Sequence, residues 1–140
     1  MYKYDLVIAN LQNNIIEYLV KKYQYQNIKD LGCYDTCNVD YPDYAKKVCD
    51  AILHDETSKG ILICNTGIGM SIVANRYSGI RAALCLNESM ASMSREHNDA
   101  NIIIFGSQFV DKSTACNCCD VFLTTRFEGG RHVRRLDKIN

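Results

Sequence analysis

Five short apolar runs recur along this chain, each followed by residues with helical spacing: "YDLVIA", "NIKDLG", "GILIC", "IRAALCL" and "NIIIF". A run with no polar alternation suits a strand covered on both faces, which is the environment of a parallel sheet. Strands that alternate with helices, joined by right-handed crossovers, predict an α/β fold: a doubly wound α/β/α sandwich around a five-stranded parallel sheet, Rossmann-like in architecture. Leu11, Ile15 and Leu19 form one helical stripe, so the spacing predicts a first helix from Leu11. "DYPDYAKKVCDAIL" reads as a second helix, starting near Asp40 or Tyr41 with Pro42 in its first turn, where a missing N–H costs nothing. Asn87 is placed to cap "ESMASMSREH"; "STACNCCDVFLTTRF" reads as a further helix, and "EGGRHVRRLDKIN" breaks at Gly129 and Gly130 before a basic tail. In such sheets ligands sit beyond the carboxyl ends of the strands.

The chain has 140 residues and no repeat or linker, so residues 1–140 are expected to form a single domain around one core. Its 16 basic and 16 acidic side chains cancel, leaving no global field to steer it toward nucleic acid or a membrane. The longest apolar runs fall far short of a membrane span, and Met1 to Tyr4 lacks the pattern of an export signal. The expected location is the cytoplasm, where the eight cysteines would be reduced thiols. Cys33 and Cys37 form C-x3-C, and Cys116, Cys118 and Cys119 form C-x-C-C, but His54 and His132 offer no matching pair. No metal is expected, and the cysteines read as small apolar residues.

Three segments carry chemistry. "CNTGIGMS", Cys64 to Ser71, follows the third strand directly and leads into a helix. Gly67 and Gly69 would let the backbone turn its N–H groups inward as a nest for an anion, or would simply permit tight packing. A thiol at Cys64 beside those groups is expected to hold more thiolate, able to act as base or nucleophile; the alternative is a strand-end cysteine facing the core. "SREHND", Ser94 to Asp99, presents His97 among polar residues, as a proton donor or as a helix-end histidine beside the macrodipole. In the tail, Arg131, His132, Arg134 and Arg135 are candidate phosphate ligands, Arg131 and Arg135 lying one helical turn apart; a solvated basic terminus is the alternative.

Taken in order, "VDYPDYA", "GILICNTGIGMSIVANR", "GIRAALC", "SREHNDANIIIFGS" and "EGGRHVRR" closely resemble the type B ribose 5-phosphate isomerases and the related galactose 6-phosphate isomerases. The resemblance implies an aldose–ketose isomerase with no metal or organic cofactor, a homodimer or dimer of dimers whose active sites are shared between subunits. It implies that Cys64 is the base moving a proton between the first two sugar carbons through an enediolate. Thr66 and the N–H groups of the nest would stabilise the oxyanion. His97 would protonate the ring oxygen and open the furanose, Asn98 would contact the sugar, and Arg131 and Arg135 would hold the phosphate. Asn65, Gly67, Ile68, Gly69 and Ser71 would line the substrate.

Three departures stand out. Asn65 replaces the Gly that follows the cysteine in the family, and Gln108 replaces an Arg, which predicts weaker phosphate binding. The third is a missing loop: members resembling this chain carry Ser-Asp-His-Ala-Gly or close to it between the first strand and first helix. Here "LVIA" runs straight into "NLQNNIIEYL", as if about six residues were absent at Ala9 and Asn10. Because a βα turn needs roughly two to six residues, the expectation is a chain break there. The rival functions are a non-catalytic sugar-phosphate binder that lost the loop, and a thiol redox or metal module using the C-x-C-C cluster.

Overall fold

The computed structural model describes residues 5–11, 15–24, 27–33 and 39–139. Its elements run β1 Leu6–Asn10, α1 Ile16–Tyr23, β2 Ile28–Asp30, α2 Tyr41–His54, β3 Lys59–Cys64, α3 Ile68–Ala74, β4 Ala82–Leu84, α4 Glu88–Glu96, β5 Ile102–Gly106, α5 Lys112–Thr124 and α6 Arg131–Asp137. The five strands form one sheet in the order β2-β1-β3-β5-β4, every pair parallel. This is the doubly wound α/β architecture that the apolar runs predict.

Strand side chains alternate between faces, and the core divides accordingly. Leu6, Ile8, Ile61, Ile63, Ile103 and Phe105 pack with α1, α4 and α5. Val7, Ala9, Leu62, Cys64, Ile102 and Ile104 pack with α2 and α3. The cysteines of α5 belong to this packing: Cys116, Cys118 and Cys119 are all buried. Burial pushes the Cys118 thiol up to about 11 and Cys119 well above its ordinary value. Thiols held neutral in an apolar layer are poor nucleophiles and poor ligands, so the cluster is core. Cys37 lies outside the described residues.

Two expectations are corrected. Ala9 and Asn10 are consecutive residues of β1, opposite Leu62 and Ile63 of β3, and Leu11 N–H continues the ladder to Ile63 O at 3.0 Å. There is no break. Second, helix α1 begins at Ile16 rather than Leu11. Ile15 and Leu19 keep the stripe on one face of the sheet, whereas Leu11 packs with the cluster on the other. Leu11 therefore belongs with the end of β1 rather than with the helix, and residues 12–14 lie outside the described residues. The basic tail holds a short helix, α6, in which Arg131 and Arg135 lie one turn apart. Other signals match: Asn87 accepts a hydrogen bond from Met90 N–H at 2.9 Å, and Pro42 sits in the first turn of α2. Among the described residues no helix is long and apolar enough to cross a membrane.

Candidate active site

The chain leaves β1 toward β2 on one side and reaches β3 on the other, so the carboxyl ends of β1 and β3 flank a point where strand order reverses. Such a point opens a crevice. Cys64 is the last residue of β3, and only 8 % of it is exposed. Its Sγ accepts a hydrogen bond from Gly67 N–H at 3.2 Å, which places a donor where negative charge on sulfur would need one. Gly67 has φ +77, a left-handed conformation that a Cβ would strain. Thr66 Oγ1 accepts from Ile68 N–H at 3.3 Å. Two of the nest's N–H groups are thus engaged by its own side chains. Those of Gly69 and Met70, in the first turn of α3, have no carbonyl partner within the helix.

This loop is held from outside by the turn after β5. Ser107 N–H donates to Cys64 O and Gln108 N–H to Asn65 O, both at 2.9 Å. Gly106 is required for that approach, because a Cβ there would run into the Thr66 backbone. The two side chains that depart from the resembled pattern meet each other: Gln108 Nε2 donates to Asn65 Oδ1 at 3.1 Å, both exposed at the rim. Tyr41, at the start of α2, lies over the loop so closely that a Cβ on Gly69 would strike its ring. Ser71 is half-buried and Ile68 exposed.

His97 is elsewhere. Gly60 pairs with Ile102 and Cys64 with Gly106, so His97, five residues before Ile102, stands at the amino end of the sheet. A five-residue strand separates the two ends by about 17 Å. His97 caps the end of α4. The turn beyond it contains Asp99 at φ +45, an uncommon conformation for a residue other than Gly. Two arginines hold it there. Arg95, 6 % exposed, donates from Nη1 to Asp99 Oδ1 at 2.8 Å and Ala100 O at 2.6 Å, and from Nε to Thr125 O at 3.2 Å. Arg81 Nε donates to the Asn98 and Asp99 carbonyls at 3.0 and 3.1 Å.

The chain after α5 returns to this same end. Glu128 N–H donates to Glu96 O at 3.0 Å, and Gly129 and Gly130, both at positive φ, turn the chain into α6. Arg131 and Arg135 are exposed there, whereas His132 is buried and stacks on His97, the ring centroids 4.5 Å apart and the planes 16° from parallel. His132 is therefore removed from the set of candidate phosphate ligands. His97, Glu128 and His132 bring one ligand atom each within 4.8 Å of one another. An ion held about 2.1 Å from both nitrogens would lie well out of each ring plane, so near-parallel rings do not fit a shared metal.

The predicted residues thus fall into two groups: Cys64, Asn65, Thr66, Gly67, Ile68, Gly69 and Ser71 at the carboxyl end, and His97, Asn98, Arg131 and Arg135 at the amino end. Sequence reasoning missed Tyr41, Arg81 and Glu128, and read Arg95 only as part of a polar segment. No local motif marks Tyr41, Arg81 or Glu128, because Gly69, Asn98 and Glu96, which they meet, are distant in sequence.

A thiol and a backbone nest beside a sheet crevice, with a histidine and a basic helix at the opposite end, is the frame into which comparison with known proteins fits. Residues 4–139 match the ribose/galactose isomerase family. A putative sugar phosphate isomerase of Rickettsia typhi is 53 % identical over 145 aligned positions, covering 99 % of each chain. Ribose-5-phosphate isomerase B of Escherichia coli is 40 % identical, covering 92 % of this chain and 85 % of its own. The crystal structure of a ribose 5-phosphate isomerase from Thermotoga maritima superposes with a TM-score of 0.91 at 45 % identity, covering 98 % of this chain and 97 % of its own. Ribose-5-phosphate isomerase B from Mycoplasma genitalium, with bound ribulose-5-phosphate, gives 0.90 at 39 %, covering 99 % and 95 %. The chain belongs to the ribose/galactose isomerase family and is an aldose–ketose isomerase. The Rickettsia alignment is longer than the chain, so at least five positions of that relative have no counterpart here.

Proposed function

We propose that the protein interconverts ribose 5-phosphate and ribulose 5-phosphate at a site built between two copies of the chain. His97 protonates the ring oxygen of the furanose and opens it. Cys64, as thiolate, takes the proton from C2 to leave an enediolate and returns it to C1. Thr66 and the N–H groups at the start of α3 stabilise the oxyanion, Asn98 contacts the sugar, and Arg131 and Arg135 hold the phosphate.

The observation that carries this reading is the placement of the two groups at opposite ends of one sheet. One substrate cannot span them within a chain, so a partner has to supply the second group. Exposed apolar stripes support the pairing. On α3, Ile68 and Ile72 are 51 % and 55 % exposed and begin beside Cys64. On α4, Met90 and Met93 are 40 % and 53 % exposed and lead to His97 one turn later. Covering such patches with a second copy buries apolar area and brings one chain's His97 group toward the other's Cys64 group. The cytoplasm is the proposed location.

Mixing Cys64→Ala protein with His97→Asn protein tests this. Each is expected to be inactive alone, and subunit exchange should restore about a quarter of wild-type activity through the one intact site per mixed dimer. Proven exchange without restoration would refute the shared site. A second reading is favoured by the departure in sequence after β1: a galactose 6-phosphate isomerase-like subunit. Wild-type protein that isomerises galactose 6-phosphate but not ribose 5-phosphate would select that reading.

A further inference from the structure

We propose that His132 is a positioning residue for His97, its buried ring fixing the orientation of the imidazole that opens the sugar. The proposal rests on the assignment of His97 as the ring-opening acid.

The backbone around His97 is well held, but its side chain is not. Arg95, Arg81 and the left-handed Asp99 fix the turn. Among the described residues no hydrogen bond or ion pair is made by the His97 side chain, and its ring stacks on the ring of His132, with the Glu128 carboxylate within 4.8 Å of both imidazoles. Rotation about the two side-chain torsions is therefore restrained by that stack. Face-to-face contact at 4.5 Å with planes 16° apart is a defined geometry for aromatic rings.

His132 is in turn built into its place. It is 5 % exposed although Arg131 and Val133 on either side are exposed, so its ring enters the gap behind the end of α4 as a wedge. The chain leading to it is tied to α4 by Glu128 N–H on Glu96 O, next to His97 itself. His132 Nε2 is buried without a hydrogen-bond partner; the Glu128 carboxylate stands 3.5 Å away, beyond good hydrogen-bonding distance. A Leu would fill this space without burying an unpartnered nitrogen, which is a cost folding alone does not explain. A ring that orients another ring does explain it.

The test separates ring opening from proton transfer at carbon. Ribulose 5-phosphate is acyclic, so exchange of its C1 hydrogen with D2O reports the Cys64 step without ring opening. His132→Leu fills the volume but removes the aromatic face; His132→Phe keeps the face. The leucine variant is expected to lower kcat for ribose 5-phosphate by about 10- to 100-fold with KM little changed. C1 exchange should persist near the wild-type rate, and the phenylalanine variant should recover most of the lost kcat. His97→Asn is the reference: it should lose isomerisation and keep exchange, and if it keeps both, the assignment of His97 is what fails. With that reference behaving as stated, the proposal is overturned if exchange falls in parallel with isomerisation, if Phe is as damaged as Leu, or if Leu is harmless. Should His132→Leu not fold, His132→Gln replaces it as the variant without a ring.

Discussion

The two ends of the sheet solve the same problem by opposite means. At the carboxyl end, Cys64 and its loop are positioned by backbone: a left-handed Gly67, a close approach at Gly106, and carbonyls of Cys64 and Asn65 taken by the turn after β5. At the amino end, His97 and Asn98 are positioned by side chains: two arginines, a carboxylate and a stacked imidazole drawn from α4, the β4 start and α6. Backbone positioning follows from the strand register and tolerates side-chain change. Side-chain positioning depends on a few buried charges and should fail abruptly when one is removed.

The sharpest break of that contrast is Arg95→Met. The replacement keeps bulk but leaves the Ala100 and Thr125 carbonyls without their donor and the Asp99 carboxylate with Arg81 alone, at 3.5 Å. Asp99 is about a third exposed, so the loss comes mainly from the unpartnered carbonyls and costs about 1–3 kcal/mol, which for a domain of this size lowers Tm by roughly 4–10 °C. Isomerase activity should fall with it, whereas alkylation of Cys64 in the folded protein should not change. Thermal melts within 2 °C of wild type would show that the amino end is not held as described.

Gly106→Ala makes the converse break. The added methyl drives into the Thr66 backbone, and overpacking of this kind costs about 1–3 kcal/mol. Its effect should be local: altered Cys64 reactivity and reduced kcat, with amide exchange at the end of α4 unchanged. Equal perturbation of both ends would mean that they are not independent.

This difference also explains what could be read from the sequence. Strands β1, β3 and β5 are apolar on both faces and stand out as runs; the Cys64 loop follows one of them and inherits its position. The edge strands β2 and β4 have three residues each, and α6 has only seven. Elements so short carry too few residues for a period to show. Arg95 and His132 look like surface residues in "SREHND" and "RHVRR", yet both are buried, because what buries them comes from Thr125, Phe122 and His97 across the fold. The same limit misplaced the start of α1: Leu11 has the right spacing for the stripe but packs on the opposite face of the sheet.

The thiols offer a smaller and graded effect. Burial raises Cys49 and Cys85 from 9.0 to about 12. In the unfolded chain they ionise near their ordinary value, so above pH 9 the unfolded state has lost protons that the folded state still holds. Stability is then complete below about pH 9 and falls as pH rises toward 12, by about 1 kcal/mol per thiol for each pH unit. Urea unfolding at pH 8 and pH 10 measures this, and Cys49→Ala should flatten the dependence. At pH 8 alkylation should reach Cys64 before Cys49, Cys85, Cys116, Cys118 or Cys119. Reaction at Cys118 first, with activity retained, would contradict the role given to Cys64.

The smallest expected effect concerns Gln108, whose side chain is exposed at the rim and whose bond to Asn65 is a neutral one. If the phosphate approaches this rim while Arg131 and Arg135 of a partner hold its far side, Gln108→Arg adds a cation where an amide now stands. A charge-assisted bond is roughly twice as strong as a neutral one, but solvent and salt screen an exposed pair to about 0.2–1 kcal/mol. KM for the sugar phosphate, and the inhibition constant of inorganic phosphate, should therefore fall about two- to fivefold at low salt. The gain should fade at high salt, where such pairs are screened. The turnover number should hold, because a contact made equally in ground and transition states changes binding alone. No change in phosphate inhibition would place the phosphate away from the rim, leaving the Asn65–Gln108 pair as a brace between two loops. In that case Gln108→Ala should loosen Cys64 rather than weaken substrate binding, and the alkylation rate of Cys64 would report it.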